Sequence, residues 1–355
     1  MAVKRKWSFG GTVFALLAAV AACALLMACL APFLHPTKHP VVMFFGLYFI
    51  PIFLLNVLLL VIAIFRHPRA ILICVVGLLP TLLLADRFVK FGRGEEDPEG
   101  PSVKVLTYNL GRYDAGGRKI TANEAIPGIR RLLGEQDADI VCLQEFAIPD
   151  TGRLENCLPD YPYRARHLFK GKRWFGNVTL SKYPIVGESV LTFPDSRNLC
   201  LVTDIDVDGQ TLRVYNCHLE SYSISFTTLV KRLSHRETFT DEVVQVHGRL
   251  REATRRRTEQ VTALLESEAQ SPYPNILCGD FNDSPVSHTY HRLTRNLKDS
   301  FVEAGHGMGS TYVALWPMLR IDYILLPQAF QARHHETLRV PWSDHYPVET
   351  TVYFE

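Results

Sequence analysis

Acidic residues are almost missing from the first quarter of this 355-residue chain: residues 1–94 hold one, Asp86, against nine lysines and arginines. Other absences narrow the chemistry. There is no Gly-x-Ser-x-Gly, no Walker loop and no Gly-x-Gly-x-x-Gly, so no motif supports acyl transfer or nucleotide binding. No two of the eight cysteines have Cys-x-x-Cys spacing, which removes the usual thiolate metal centre. Neither an internal repeat nor a low-complexity tract is present, so repeat architectures are excluded.

The acid-poor head is apolar. Runs at 11–34, 41–65 and 70–86 compare with the roughly 20 residues that a membrane-spanning helix needs. The third is shorter and carries Pro80, which membrane helices tolerate. Residues 1–94 therefore read as an anchor of about three transmembrane helices in an inner, cytoplasmic membrane. Lys4, Arg5 and Lys6 precede the first run, and Arg66 and Arg69 separate the second from the third, whereas only Lys38 lies between the first two. The positive-inside rule puts the N-terminus and the 66–69 loop in the cytoplasm, and the rest of the chain outside it. Arg87, Lys90 and Arg93 oppose that assignment, and two spans instead of three would return the body to the cytoplasm. Val20-Ala21-Ala22-Cys23 looks like a lipoprotein cleavage site, but the apolar run continues beyond it.

After a linker at 95–101, residues 102–355 have the composition of a folded domain. From residue 95 onward there are 29 lysines and arginines against 35 acids, a net charge of −6. Sequence-independent nucleic-acid binders are usually basic. Strands are predicted at 103–109, 139–144, 177–181, 199–207, 211–218, 275–280, 321–326 and 348–353, and helices at 122–135, 252–268 and 286–296. Their alternation, with a hairpin at Asp208-Gly209, points to a layered α/β body with mixed sheets. Cys142, Cys217 and Cys278 lie in apolar strand patterns and read as buried thiols. The hairpin would put Cys200 opposite Cys217, a disulfide that strand geometry seldom suits. Residues 220–258 carry Ser221, Ser223, Ser225, Tyr222 and Phe226, then a polar helical stretch ending in Arg249, Arg251, Arg255, Arg256 and Arg257. They read as a solvated helix whose arginine stems cover apolar surface, or as an insertion that touches anionic groups.

Seven short segments place an Asn, a carboxylate or a His at the end of an apolar run: Thr107-Tyr108-Asn109, Leu143-Gln144-Glu145, Gly176-Asn177-Val178, Asn216-Cys217-His218-Leu219, Gly279-Asp280-Phe281-Asn282-Asp283, Arg320-Ile321-Asp322-Tyr323-Ile324 and Ser343-Asp344-His345-Tyr346-Pro347. A carboxylate that closes a buried strand is costly without a cation or partner. Hard oxygen ligands suit Mg²⁺. Asp280 and Asn282, two residues apart, can share the handling of a water molecule. Asp322 is suited to orient an imidazole and raise its pKa. Together these are the parts of a metal-assisted phosphoester hydrolase.

In this order the segments resemble the endonuclease/exonuclease/phosphatase superfamily, in a membrane-anchored bacterial form, over about residues 101–355. The resemblance implies an α/β fold, a four-layer α/β/β/α sandwich preceded by the N-terminal transmembrane region. It implies Mg²⁺, with Mn²⁺ as an alternative, bound by Glu145 and Asn109 with Asp344 nearby. Asp280 would position or deprotonate water, Asn282 would hold that water or a phosphate oxygen, and His345, paired with Asp322, would contact the phosphate. Asn177 would line the phosphate pocket. His218 stands where repair nucleases carry Tyr and where pancreatic deoxyribonuclease and the sphingomyelinases carry His. Gly111 stands where repair nucleases carry a second acidic ligand, a departure that points away from abasic-site cleavage. The expected partners are the lipid bilayer and a lipid or headgroup phosphoester. Nucleic acid is the alternative substrate, and no protein partner is evident. A decayed, non-catalytic binding module is a minor alternative, because Asn109, Glu145, Asp280, Asn282, Asp322 and His345 are all retained.

Overall fold

The computed structural model describes residues 9–92, 96–115, 118–148, 158, 161–171, 173–222, 239–313 and 319–354. Lys4 to Lys6, Arg93, the first residue of the predicted linker, Cys157, Ser223, Ser225 and Phe226 lie outside the described residues. The chain forms two compact units. One contains the residues up to Asp86 together with Ser284–His291, and the other contains Arg87–Asp283 and Arg292–Glu355.

The first unit is helical: α1 (Phe9–Leu30), α2 (Pro40–Leu47), α3 (Phe49–Arg66) and α4 (Ile71–Leu78). Three stretches, Phe9–Phe33, Phe49–Arg66 and Pro68–Arg87, are long and apolar enough to cross a membrane. The apolar run 41–65 is broken at Tyr48. Pro51 has no N–H to donate to the Leu47 carbonyl, so a continuous helix would lose a hydrogen bond at that point. Asn56 is buried, and its amide donates to the Ala21 and Ile52 carbonyls, both at 2.9 Å. It thereby satisfies a polar group within apolar helices and ties α3 to α1. A Cβ on Gly77 would lie 2.6 Å from the Ala22 Cβ, so small residues set the α1–α4 approach. Within the same unit, His288 Nδ1 lies 3.0 Å from the Pro32 carbonyl oxygen.

The second unit is built on two six-stranded sheets, with strands numbered in chain order: β1 (Ser102–Asn109), β2 (Ile140–Ile148), β3 (Tyr163–Lys170), β4 (Trp174–Ser181), β5 (Ile185–Thr192), β6 (Leu199–Val207), β7 (Gln210–His218), β8 (Asn275–Asp280), β9 (Leu297–Asp299), β10 (Asp322–Pro327), β11 (Gln331–Thr337) and β12 (Val348–Tyr353). Its long helices are α5 (Ala122–Gln136) and α6 (Phe239–Ala269). The sheet orders are β11-β12-β1-β2-β4-β3 and β9-β10-β8-β7-β6-β5. Each sheet has one parallel pair at its centre, β1 with β2 and β7 with β8, and antiparallel neighbours on either side. The same plan is therefore used twice.

Val103, Val105, Ile140 and Cys142 of the first sheet pack against Val214, Ile276, Cys278 and Ile324 of the second. The outer face of the first sheet is covered by Ile129, Leu132 and Leu133 of α5. On the second sheet, Tyr215 reaches α6, with its hydroxyl 3.2 Å from Ser267 Oγ. The result is the expected four-layer α/β/β/α sandwich. A buried amide cluster joins the two sheets. Asn216 of β7 donates to the Val178 carbonyl at 2.9 Å and accepts from Gln144 Nε2 at 2.8 Å, while Asn177 donates to the Asn216 carbonyl at 2.9 Å. These bonds satisfy polar groups that would be costly unpaired in a dry interface.

The turn at Asp208-Gly209 has positive φ at both residues (53° and 94°), as a tight two-residue hairpin requires. Cys217 stands opposite Cys200 in the resulting register, and both are free thiols. The helix predicted at 252–268 extends back to Phe239, and that predicted at 286–296 shortens to His288–Leu293. Strands β3, β5, β9 and β11, absent from the sequence reading, are sheet-edge strands; β3, β5 and β11 have exposed positions and β9 is only three residues long.

Candidate active site

Parallel pairing brings two strand C-termini to the same edge. In the first sheet Asn109 is level with Gln144, and in the second His218 is level with Asp280. The antiparallel β10 begins there, with Asp322 level with Asp280. Polar residues at the strand ends thus converge where the ladders stop.

Asp280 is the hub. It is 1 % exposed. Its Oδ2 accepts from Asn109 Nδ2 at 2.8 Å and from Asn282 Nδ2 at 3.0 Å, and its Oδ1 accepts from the Asn282 amide at 2.8 Å. His218 Nε2 and His345 Nε2 each lie 3.9 Å from the same Oδ2. Behind His345, Nδ1 is 2.9 Å from Asp322 Oδ2. Thr311 Oγ1 accepts from the Ile321 and Asp322 amides, and Tyr312 packs edge-on against the His345 ring at 5.3 Å. Burial raises the Asp280 carboxyl; His345 and His218 lower it, Asp322 raises it, and the balance is about 6. Burial alone would lower the His345 imidazole, but the Asp322 and Asp280 carboxylates outweigh it and raise it to about 10. His345 is therefore held as a cation beside two carboxylates.

Glu145 forms the other side of the site. It sits at a bulge in β2, between Leu143 and Phe146, with φ of 49°. Such backbone costs about 1–3 kcal/mol and is found at functional positions. Glu145 Oε1 lies 3.6 Å from His218 Nε2, and Oε2 lies 3.0 Å from Arg112 Nε. A Cβ on Gly111 would fall 2.3 Å from Asp344 Oδ1. The Asp344 carboxylate thus fills the space that a side chain at 111 would need, which accounts for the glycine. Burial raises the Asp344 carboxyl, and the Glu145 charge adds to the rise. Asn109 Oδ1 accepts from the Gly111 amide at 2.9 Å. Asn177 is buried beside this group in the inter-sheet amide cluster.

Two residues of α6 that the sequence reading treated as part of a charged run or passed over brace the site loops. Arg257 is fully buried. Its Nε lies 3.2 Å from Asp283 Oδ2, its Nη1 donates to the Glu220 carbonyl, and its guanidinium lies 4.3 Å over the Tyr222 ring. Gln260, one turn on, accepts from the Glu220 amide at 2.7 Å. Together they grip the loop after His218 and the loop after Asn282. By contrast, Arg255 and Arg256 are paired with Glu252 and Glu259 on the surface of the helix.

Two groups offer ligands to a cation. Asp280, Asp322 and His345 present atoms within 4.8 Å of one another, but both Asp280 oxygens accept hydrogen bonds and His345 already bonds Asp322. Glu145 and Asp344 carry hard carboxylate oxygens near Asn109, whose Oδ1 accepts from the Gly111 amide, and the Arg112 guanidinium already sits as a cation on Glu145. The second set fits Mg²⁺ or Mn²⁺ chemistry.

The ionisation of His345 predicts a pH dependence. Its folded pKa is raised above the ordinary 6.5, so its contribution is complete below that value and is lost as pH rises through about 10. In excess chelator, denaturant stability should decline from pH 7 to pH 10. Asp322→Asn should flatten that decline, and an unchanged slope would contradict the pairing.

The endonuclease/exonuclease/phosphatase family profile matches residues 106–345. A second profile, described as a domain of unknown function (DUF8431), matches residues 11–88. The uncharacterised protein YbhP of Escherichia coli K12 is 26 % identical over 274 residues, 71 % of this chain and 96 % of YbhP. An endonuclease/exonuclease/phosphatase from Beutenbergia cavernae has the same fold at a TM-score of 0.53 and 20 % identity, covering 71 % of this chain and 72 % of its own. A mannosyl-6-phosphatase of Bacteroides thetaiotaomicron superposes at 0.52 with 18 % identity, covering 71 % and 100 %. A humanised D. rerio TDP2 does so at 0.52 with 19 % identity, covering 71 % and 98 %. On the strength of the matched profile, which spans most of the body and all but one of its seven strand-end motifs in full, the chain belongs to the endonuclease/exonuclease/phosphatase family and is a metal-dependent hydrolase of phosphoric ester bonds.

Proposed function

We propose that this hydrolase is anchored in the membrane by its N-terminal helices and acts on a lipid or headgroup phosphoester. The observation that carries the catalytic reading is Asp280, a buried carboxyl raised to about 6, held by two amides on the same edge as Glu145. A base with a pKa near the working pH is the effective kind. Asp280 takes the proton of the attacking water, and Asn282 orients that water. His345, kept cationic by Asp322, holds a phosphoryl oxygen, and His218 stands between Asp280 and Glu145, 3.9 Å and 3.6 Å from their carboxylates. Glu145, with Asp344 and Asn109, would hold Mg²⁺ or Mn²⁺, which would supply charge neutralisation for the phosphoryl group. Asn177 supports the phosphate pocket through the inter-sheet cluster.

The substrate reading rests on charge and on the anchor. The net charge from residue 95 onward is −6. In the arginine run singled out in the sequence, Arg255 and Arg256 are spent on intrahelical ion pairs and Arg257 on buried contacts, which leaves Arg249 and Arg251 exposed. A surface that follows a nucleic-acid backbone needs free basic groups in number. Helices in the bilayer would raise the effective concentration of lipid headgroups at the site.

The full chain in detergent, with Mg²⁺, is tested against phospholipids, sphingomyelin, inositol phosphates and supercoiled DNA. Headgroup or phosphate release is expected, with a loss of about 100-fold or more in Glu145→Gln. Undiminished turnover in excess chelator would refute the metal role, and nicking of DNA with no lipid turnover would reverse the substrate choice. The basic residues flanking the apolar runs support a body outside the cytoplasm. A phosphatase reporter fused after Glu355 should then be active, whereas a silent phosphatase fusion with an active cytoplasmic reporter at the same position would place the body inside.

A further inference from the structure

The body is acidic, yet residues 161–187 contain no Asp or Glu and six lysines and arginines. This segment includes the β3–β4 hairpin beside the site, in which His167 pairs with Asn177 and Phe169 with Phe175. Lysines and arginines on β3, an edge strand, are explained in part by protection against edge-to-edge pairing. That does not explain two arginines from elsewhere. Arg112 follows β1 and Arg197 precedes β6, and their guanidiniums lie 4.4 Å and 5.8 Å from the centroid of one ring, Phe175. Both arginines are exposed. Arg112 is fixed from its other side by Glu145, and Arg197 makes no ion pair among the described residues.

Phe175 and Asn177 are two residues apart on β4 and point the same way, so their side chains are separated by roughly 7 Å. An aromatic ring that seats two guanidiniums holds them in place while leaving N–H groups other than Arg112 Nε, which faces Glu145, for an anion. From this geometry we propose that Arg112, Arg197 and Phe175 form a second anion subsite beside Glu145, which receives a second phosphate of the substrate. This rests on the hydrolytic reading of the Asp280 site and extends it to substrate class: a phosphoester that carries a second phosphate, from a soluble bisphosphate or a bisphosphate headgroup.

The test reads binding and not turnover, so that it stands apart from hydrolysis. The full chain in neutral detergent is titrated with butyl phosphate and with butane-1,4-diyl bisphosphate. The wild type should bind the bisphosphate about tenfold or more tightly than the monophosphate, the scale of one charge-assisted contact. In Arg112→Gln/Arg197→Gln, and separately in Phe175→Leu, that ratio should fall toward one. Equal affinities in the wild type, or a ratio unchanged in the double variant, would overturn the subsite whatever the chain hydrolyses. A preserved ratio in a chain that hydrolyses nothing would uphold the subsite and remove the hydrolytic reading instead. Where the ratio holds, displacement of the bisphosphate by cardiolipin micelles but not by phosphatidylglycerol micelles identifies a headgroup as the source. Displacement by neither identifies a soluble bisphosphate.

Discussion

Two carboxylates that have almost no access to water sit level on adjacent strands, and most of the site exists to make that arrangement tolerable. Asp280 and Asp322 are 1 % and 2 % exposed. Burying charge without compensation is among the most costly things a fold can do. The compensation here is specific: two amides and a backbone N–H on Asp280, and an imidazolium on Asp322. The outcome is a carboxyl whose affinity for a proton is raised and a histidine that keeps its proton. That separation of neighbouring groups marks acid and base roles in many hydrolases.

The scaffold delivers this cluster through a single topological device used twice. A central parallel pair in each sheet brings two C-termini to one edge, and the antiparallel flanks fix the register on both sides. The sheets then need to be locked face to face, because Asn109 comes from one and Asp280 from the other. The Asn216–Gln144–Asn177 amides supply that lock from within, and Arg257 with Gln260 restrains the loops from behind. The bulge at Glu145 breaks strand alternation and lets a carboxylate leave a buried strand toward the open side.

Much of this was readable from residue patterns. Strand ends in Asn, Glu, Asp and His are conspicuous because an apolar run makes a terminal polar residue hard to place otherwise. The Asp208-Gly209 hairpin follows from turn chemistry, and the helix predicted at 122–135 is found at Ala122–Gln136. Other parts were not readable for physical reasons. Arg257 has the same composition and neighbours as Arg255 and Arg256, and only burial separates a loop brace from a solvated ion pair. The edge strands β3 and β5 lack a continuous apolar face and so carry little strand signal. The roles of Arg112 and Phe175 depend on contacts between segments 63 residues apart, which no local pattern encodes. The break at Tyr48 could have been read from Pro51, but mean hydropathy conceals it.

The central claim is that Asp322 acts on catalysis only through His345. A double-mutant cycle on full-length protein in detergent with Mg²⁺, using turnover of a chromogenic phosphodiester, tests it most directly. If the two residues form one unit, Asp322→Asn/His345→Ala should be no more than about threefold slower than His345→Ala alone. Losses that multiply independently would contradict the account.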